Sequence, residues 1–146
     1  MSRSGYTDDF DCYHVMWRGQ VASAIRGKRG QAFLREMIEA LDALPEPKLI
    51  AEELHAEGAV CAIGSVGLKR GIDMSKLDVE NFEHIGKVFG IAHQLVCEIE
   101  YVNDEMGSYE QTPEQRWQRV RAWAVKQLRP SQESDSASAS AGRVNP

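Results

Sequence analysis

Between residues 31 and 44 the apolar positions Phe33, Leu34, Met37, Ile38, Leu41 and Leu44 recur at spacings of three and four. That repeat paints one face of a helix and predicts a core element. Upstream, Trp17, Val21, Ala24 and Ile25 mark a second amphipathic helix from about residue 14 to 26. The run "RGKRG" between the two places Gly27 and Gly30 where a tight reversal needs glycine, so the pair reads as a helical hairpin. Pro45 and Pro47 end the second helix, because proline removes a donor and restricts the residue before it.

The stretch from Lys48 to Asp73 supports two readings. Leu49 to Leu54, a turn at "HAEG" and the run "AVCAI" pair as a short hairpin near residues 49–63; alternatively Val60 to Lys69 forms a helix whose face is Ala62, Gly64, Ser65 and Gly67. The helix is the expectation, since small residues let a neighbouring backbone approach closely. Residues 78–89 carry a stripe of Phe82, Ile85 and Phe89, and residues 92–104 one of Ala92, Leu95, Val96, Ile99 and Val102. "QTPEQRW" announces a last helix with Thr112 as cap, Pro113 at the first helical position and Gln115 three residues after the cap. After Pro130 the run "SQESDSASASAGRVNP" has no large apolar residue except Val144 and reads as disordered. The pattern as a whole predicts an all-α fold of about six helices in one domain, residues 1–130, with a tail at 131–146.

A chain of 146 residues supports one core of ordinary size. No apolar run reaches the roughly 20 residues needed to cross a bilayer, and the first residues lack the apolar stretch of a signal peptide, so a cytoplasmic location is expected. Three cysteines, Cys12, Cys61 and Cys97, suit reduced thiols rather than a disulfide framework. The net charge of −5 hides a segmented arrangement. From Trp17 to Arg35 there are five bases and no acid; from Pro45 to Gln111, thirteen acids and five bases; from Thr112 to Pro130, five bases and one acid.

Candidate chemistry begins with the window from Phe82, which has the shape of a DNA-reading helix-turn-helix: Gly86 at the small fifth position, Gly90 at the turn, and Ile85, Phe89, Ile91, Val96 and Ile99 at apolar positions. Its charge is wrong. A reading helix that presents His93, Gln94, Glu98, Glu100 and Tyr101 meets a phosphate backbone with acids, and from Asp78 to Glu105 seven acids face the single base Lys87. Cys12 and His14 near Asp8, Asp9 and Asp11, or His93 and Cys97 on one helix face, lack the paired spacing of a metal site. "AIGSVGLKRG" lacks the order of a phosphate loop, and "EYVNDEMG" caps and turns the chain in preference to acid–base work. No metal and no cofactor are expected.

The runs "SRSGYTDD", "AIRGKRGQAFLREMIEALDALP", "GAVCAIGSVGLKRGIDM", "YVNDE" and "TPEQRWQRVRAW" resemble a set of small predicted proteins of phages, prophages and proteobacterial genomes, over nearly all of residues 2–129. The resemblance implies a phage-type accessory gene and carries over no functional residue. The expected role is a non-enzymatic protein that binds a host or phage protein, to modulate or block a host system. Its expected partner-binding residues are Arg26, Lys28 and Arg29 in the first basic segment and Arg116, Arg119 and Trp123 in the last, since a tryptophan bordered by arginines is a composition enriched at binding hot spots. Trp117, on the stripe of Val120, Ala124 and Leu128, is expected to be buried. For Trp123 the competing reading is that the N-terminal segment with Phe10 and Tyr13 folds over it. The rival functions are a DNA-associated regulator using the basic segments, and a metal-dependent enzyme.

Overall fold

The structure, a computed structural model, describes residues 12–106 and 111–130, with side chains from Val15 onward. The order is α1 (Cys12–Arg26), α2 (Lys28–Ala43), β1 (His55–Ala56), β2 (Ala59–Val60), α3 (Ala62–Arg70), a 3₁₀ turn at Met74–Lys76, α4 (Phe82–Phe89), α5 (His93–Asp104) and α6 (Pro113–Gln127). The fold is therefore mostly helical with one short hairpin, as the apolar pattern predicts. α2 packs on α1, α3 and α6, while α5 packs on α1, α3, α4 and α6. The bridging helices α1, α3 and α6 thus close a core between α2 and α5, lined by Leu34, Met37 and Leu41 from one side and Leu95, Ile99 and Val102 from the other, all at most 1% exposed.

The middle stretch holds both a hairpin and a helix, on shifted bounds: the strands are His55–Ala56 and Ala59–Val60 rather than Leu49–Leu54 and 59–63, and the helix starts at Ala62 rather than near Val60. β1 and β2 pair antiparallel, His55 with Val60 and Ala56 with Ala59, across a two-residue turn in which Glu57 (φ 51°) and Gly58 (φ 85°) both take positive φ. Such a turn matches the twist of a hairpin. The chain then enters α3 at once, because Cys61 caps it: its Sγ accepts from Gly64 N at 3.3 Å. The small-residue face works as expected, since a side chain at Gly64 would run into Leu54 O.

Three further boundaries differ from the sequence reading. Gly30 lies inside α2 rather than in the reversal, and only Gly27 caps the helix. Its reason is packing, because a Cβ there would collide with Ala24 O of α1. α4 starts at Phe82 rather than near residue 78, since Asn81 Oδ1 accepts from His84 N (3.1 Å) and Asp78 Oδ1 holds Glu80 N in a turn (2.9 Å). The 3₁₀ turn at Met74–Lys76, capped by Asp73, was not anticipated. α6 opens as read, with Thr112 Oγ1 accepting from Gln115 N (3.1 Å) and Gln115 Oε1 accepting from Thr112 N (2.9 Å). Among the described residues no helix is long and apolar enough to cross a membrane. The segment 131–146 lies outside the described residues.

Candidate functional site

The helix-turn-helix shape is present. Gly90 takes the left-handed conformation (φ 78°), Gly90 N and Ile91 N both donate to Gly86 O (2.8 and 2.9 Å), and a Cβ at Gly86 would stand 2.6 Å from Ile91 O. A glycine is the residue that allows so close a helix crossing. The second helix, however, is the most enclosed in the fold, with Leu95, Val96, Cys97, Glu98, Ile99, Glu100, Val102 and Asn103 all buried. Its outer side is covered by α1. Gln20 Oε1 accepts from Gln94 Nε2 (3.3 Å), Trp17 and His93 pair at 5.9 Å between ring centroids, and Arg18 forms a bidentate ion pair with Glu98. Three of the residues that a DNA-reading helix would present to bases, His93, Gln94 and Glu98, are here committed to α1, and Glu100 is buried against the Cys61 thiol.

The two arginines of α6 that the sequence assigned to a partner point inward. Arg116 Nε donates to Asn103 O (2.9 Å) and its Nη1 to Leu49 O (3.3 Å); Arg119 donates to Val102 O and Asn103 O, and to Gln111 Oε1 at 2.5 Å. They satisfy the last carbonyls of α5, which the helix itself leaves without donors. Burial lowers the affinity of Arg119 for its proton, the neighbouring Arg116 adds to this, and Asp104 opposes it. Asn103, fully buried, completes the hub: its Oδ1 accepts from Ala62 N (3.0 Å), and its Nδ2 donates to Ile50 O (2.9 Å) and Asp104 Oδ1 (2.7 Å). Asn103 and Asp104, read as chain-turning residues, also tie α5 to the start of α3 and to the loop before the hairpin, where Glu52 N donates to Asp104 Oδ1 (3.1 Å).

Arg26, Lys28 and Arg29 remain on the surface, and the fold brings further cations to them. Gln31, 7% exposed, pins three chain segments: its Nε2 donates to Ile25 O (2.8 Å) in α1 and to Gln127 O (3.0 Å) in α6, and its Oε1 accepts from Arg129 N (2.8 Å). Arg35 Nη2 donates to Arg129 O (3.1 Å). Arg26, Lys28, Arg29, Arg35, Lys126 and Arg129 therefore gather where α1 ends, α2 begins and α6 ends. Among the described residues none of these six makes an ion pair. Of the acids of α2, Glu36 pairs with Arg70 (2.6 Å) and Asp42 with Arg121 (2.7 Å), while Glu39 is exposed. Sequence reasoning missed Gln31; its only signal is a polar residue one turn before Leu34 on an otherwise apolar face.

Trp123 and Trp117 are alike in being partly buried and packed against the core. Trp117 is thus less enclosed than its stripe suggested, with Nε1 donating to Leu41 O (3.0 Å) and its ring under Arg121. Whether Phe10 and Tyr13 cover Trp123 falls outside the described residues, as do the side chains of Asp8, Asp9, Asp11, Cys12 and His14. Cys61 is fully buried and Cys97 nearly so; the Cys61 thiol donates to Glu100 Oε1 at 3.8 Å. Among the described residues no three of the types His, Cys, Asp and Glu come together as a metal ion needs. Searches against family models, curated proteins and solved structures returned no match, so the surface is read from its own geometry.

Proposed function

We propose that the protein is a non-enzymatic interaction protein whose basic corner, built from Arg26, Lys28 and Arg29 with Arg35, Lys126 and Arg129, docks an acidic surface of a partner protein. The observation that carries this reading is the separation of charge along α6. The helix ends at the basic corner, where Gln127 O meets Gln31. It begins beside the loop that leads into the hairpin, where Leu49 N donates to Pro113 O (3.1 Å), and Glu52 and Glu53 of that loop are exposed. Fifteen residues at 1.5 Å each separate the two ends by about 22 Å. Two opposed patches suit a partner with matching patches, which fixes orientation and speeds encounter. A nucleic-acid duplex favours one continuous basic stripe, and Arg116 and Arg119, which would have extended it, are withdrawn into the fold. The resemblance to phage and prophage gene products makes a host or phage protein the partner of choice.

The test is affinity capture from host lysate with the parent and with a variant carrying Arg26→Glu, Lys28→Glu and Arg29→Glu. A protein retained by the parent and lost by the folded variant supports the reading. A variant that keeps the same partner, or a parent that shifts duplex DNA at about 150 mM salt and loses it on the same reversal, sinks it.

A further inference from the structure

The outer face of α6 matches itself on reversal. Glu114, Gln115, Gln118, Ala122, Val125 and Lys126 are all exposed, Val125 at 45%. At about 100° per residue they fall within an arc of about 120°, and the fully buried Val120 and Ala124 lie on the opposite side. The one acid of this face stands in the first turn of the helix and the one base in the last. Among the described residues neither Glu114 nor Lys126 makes an ion pair.

Turning a second α6 end for end about the level of Val120 sets Glu114 of each copy beside Lys126 of the other. Gln115 then meets Val125 and Gln118 meets Ala122, so the longer side chain of each pair faces the shorter. A parallel pair would instead set Glu114 against Glu114 and Lys126 against Lys126, with the helix dipoles aligned, which repulsion disfavours. The reversal also brings the exposed acids Glu52 and Glu53 level with the basic corner of the other copy, because Leu49 is held at Pro113 and Gln31 at Gln127.

We infer that this face is the contact surface for a second copy of the chain, the two α6 helices packing antiparallel about a two-fold axis level with Val120. The contact is isologous, the commonest closed symmetry of soluble oligomers. Val125, in solvent in the monomer, is covered by the stem of the other copy's Gln115. The centre of the face is small and mostly polar and its ends are charged, so the pair is weak, reversible and sensitive to salt. Lys126 belongs both to this face and to the basic corner, whereas Arg26, Lys28 and Arg29 belong to α1 and α2 and stay open to another protein.

Sedimentation of the purified protein from about 1 to about 500 μM, at low and high salt, needs no other protein, so its outcome is independent of the docking of an acidic partner. The expected result is a monomer–dimer equilibrium that salt weakens. Glu114→Lys and Lys126→Glu each place like charges together twice, and each is expected to weaken the dimer about tenfold or more. The double variant restores opposite charges across the two-fold and is expected to associate within about threefold of the parent. The two positions lie about 18 Å apart along one helix, too far to pair within a single chain, so this rescue comes only through a second copy. Ala122→Arg, at an exposed position, is expected to weaken the dimer as much as either single swap while melting near the parent. A parent that stays monomeric throughout overturns the inference. So does a double variant no stronger than the single ones, or a dimer that Ala122→Arg or the single swaps leave intact.

Discussion

Arg18 and Glu98, 80 residues apart in sequence, close a bidentate ion pair (Nη1–Oε1 2.7 Å, Nη2–Oε2 3.1 Å) that fastens α1 over α5. The carboxylate is 7% exposed and the guanidinium 43%. Hydrogen bonds to charged groups contribute roughly 1.5–3 kcal/mol, and the exposure of Arg18 trims that, so Arg18→Ala is expected to cost about 1–2 kcal/mol. Urea melts provide the number. Hydrogen exchange should show faster exchange in α1 than in α2, since α1 loses its main polar tie and α2 does not. Equal protection of the two helices would contradict the assignment of this pair as the fastening.

Asn103 is a sharper case, because its amide serves a helix start and a loop at once. Asn103→Leu keeps the volume and abandons Ala62 N and Ile50 O inside the protein. A buried group left without its partner costs about 1–3 kcal/mol, so roughly 2–4 kcal/mol is expected for two such groups. Asn103→Asp should be no milder at neutral pH, since a carboxylate then faces the Ile50 carbonyl. A denaturation midpoint close to that of the parent for either variant would be incompatible with the hub.

The hub also shows where the sequence stops being informative. α2 and α6 are legible because their signals are local: a 3.6-residue apolar repeat in one, and a capping box within four residues in the other. HTH-like α4 and α5 are legible for the same reason, through Gly86 and Gly90. The destinations of Arg116 and Arg119 are not, because the α5 carbonyls they satisfy lie 13–17 residues upstream, and the Leu49 carbonyl 67, and reach them only once α6 lies against α5. An arginine beside a tryptophan reads the same whether it faces a partner or caps a neighbouring helix. Gly27 and Gly30 pose the same problem at short range. Both suit a turn, and only the crossing of α1 over α2 reveals that Gly30 is there for contact with Ala24.

Acid should weaken the fold in a defined window. The hydrogen bond from Arg70 holds the Glu36 carboxyl below its usual range, with Lys69 helping and burial opposing, and Arg121 does the same for Asp42. A depressed folded value means stability that is fully present above the unfolded pKa, about 4.3 for Glu and 3.9 for Asp, and is lost as pH falls through the folded values. Glu36→Gln should therefore melt below the parent at pH 7, and the gap should close as pH drops below about 4. A gap that stays constant down to pH 3 would mean that the ion pair is not its source.

Gly86 decides whether the helix pair is a rigid packing unit. A Cβ there stands 2.6 Å from Ile91 O, a contact that no real side chain tolerates, and the opposing atom is backbone. Gly86→Val must push α4 off α5, with a cost of more than about 2 kcal/mol expected from overpacking at a site that cannot yield. Gln94→Ala, which gives up the long hydrogen bond to Gln20, should leave the melt within about 0.5 kcal/mol of the parent.

Truncation of Trp123 separates a core role from a partner-binding one. It packs partly buried against the same core as Trp117, and Val120 and Ala124 between them are fully buried. An aromatic truncated in a core costs about 3–5 kcal/mol, and a partly exposed one less, so Trp123→Ala is expected to cost about 2–3 kcal/mol. Trp117→Ala should cost at least as much, because it also abandons the Leu41 carbonyl. Trp117→Phe isolates that bond and should cost about 1 kcal/mol. On this reading Trp123 acts as a wedge between α6 and its neighbours, and Trp123→Ala should retain partner capture at temperatures where it remains folded. A variant that melts like the parent and releases the partner would return Trp123 to the interface, beside the basic corner rather than beneath it.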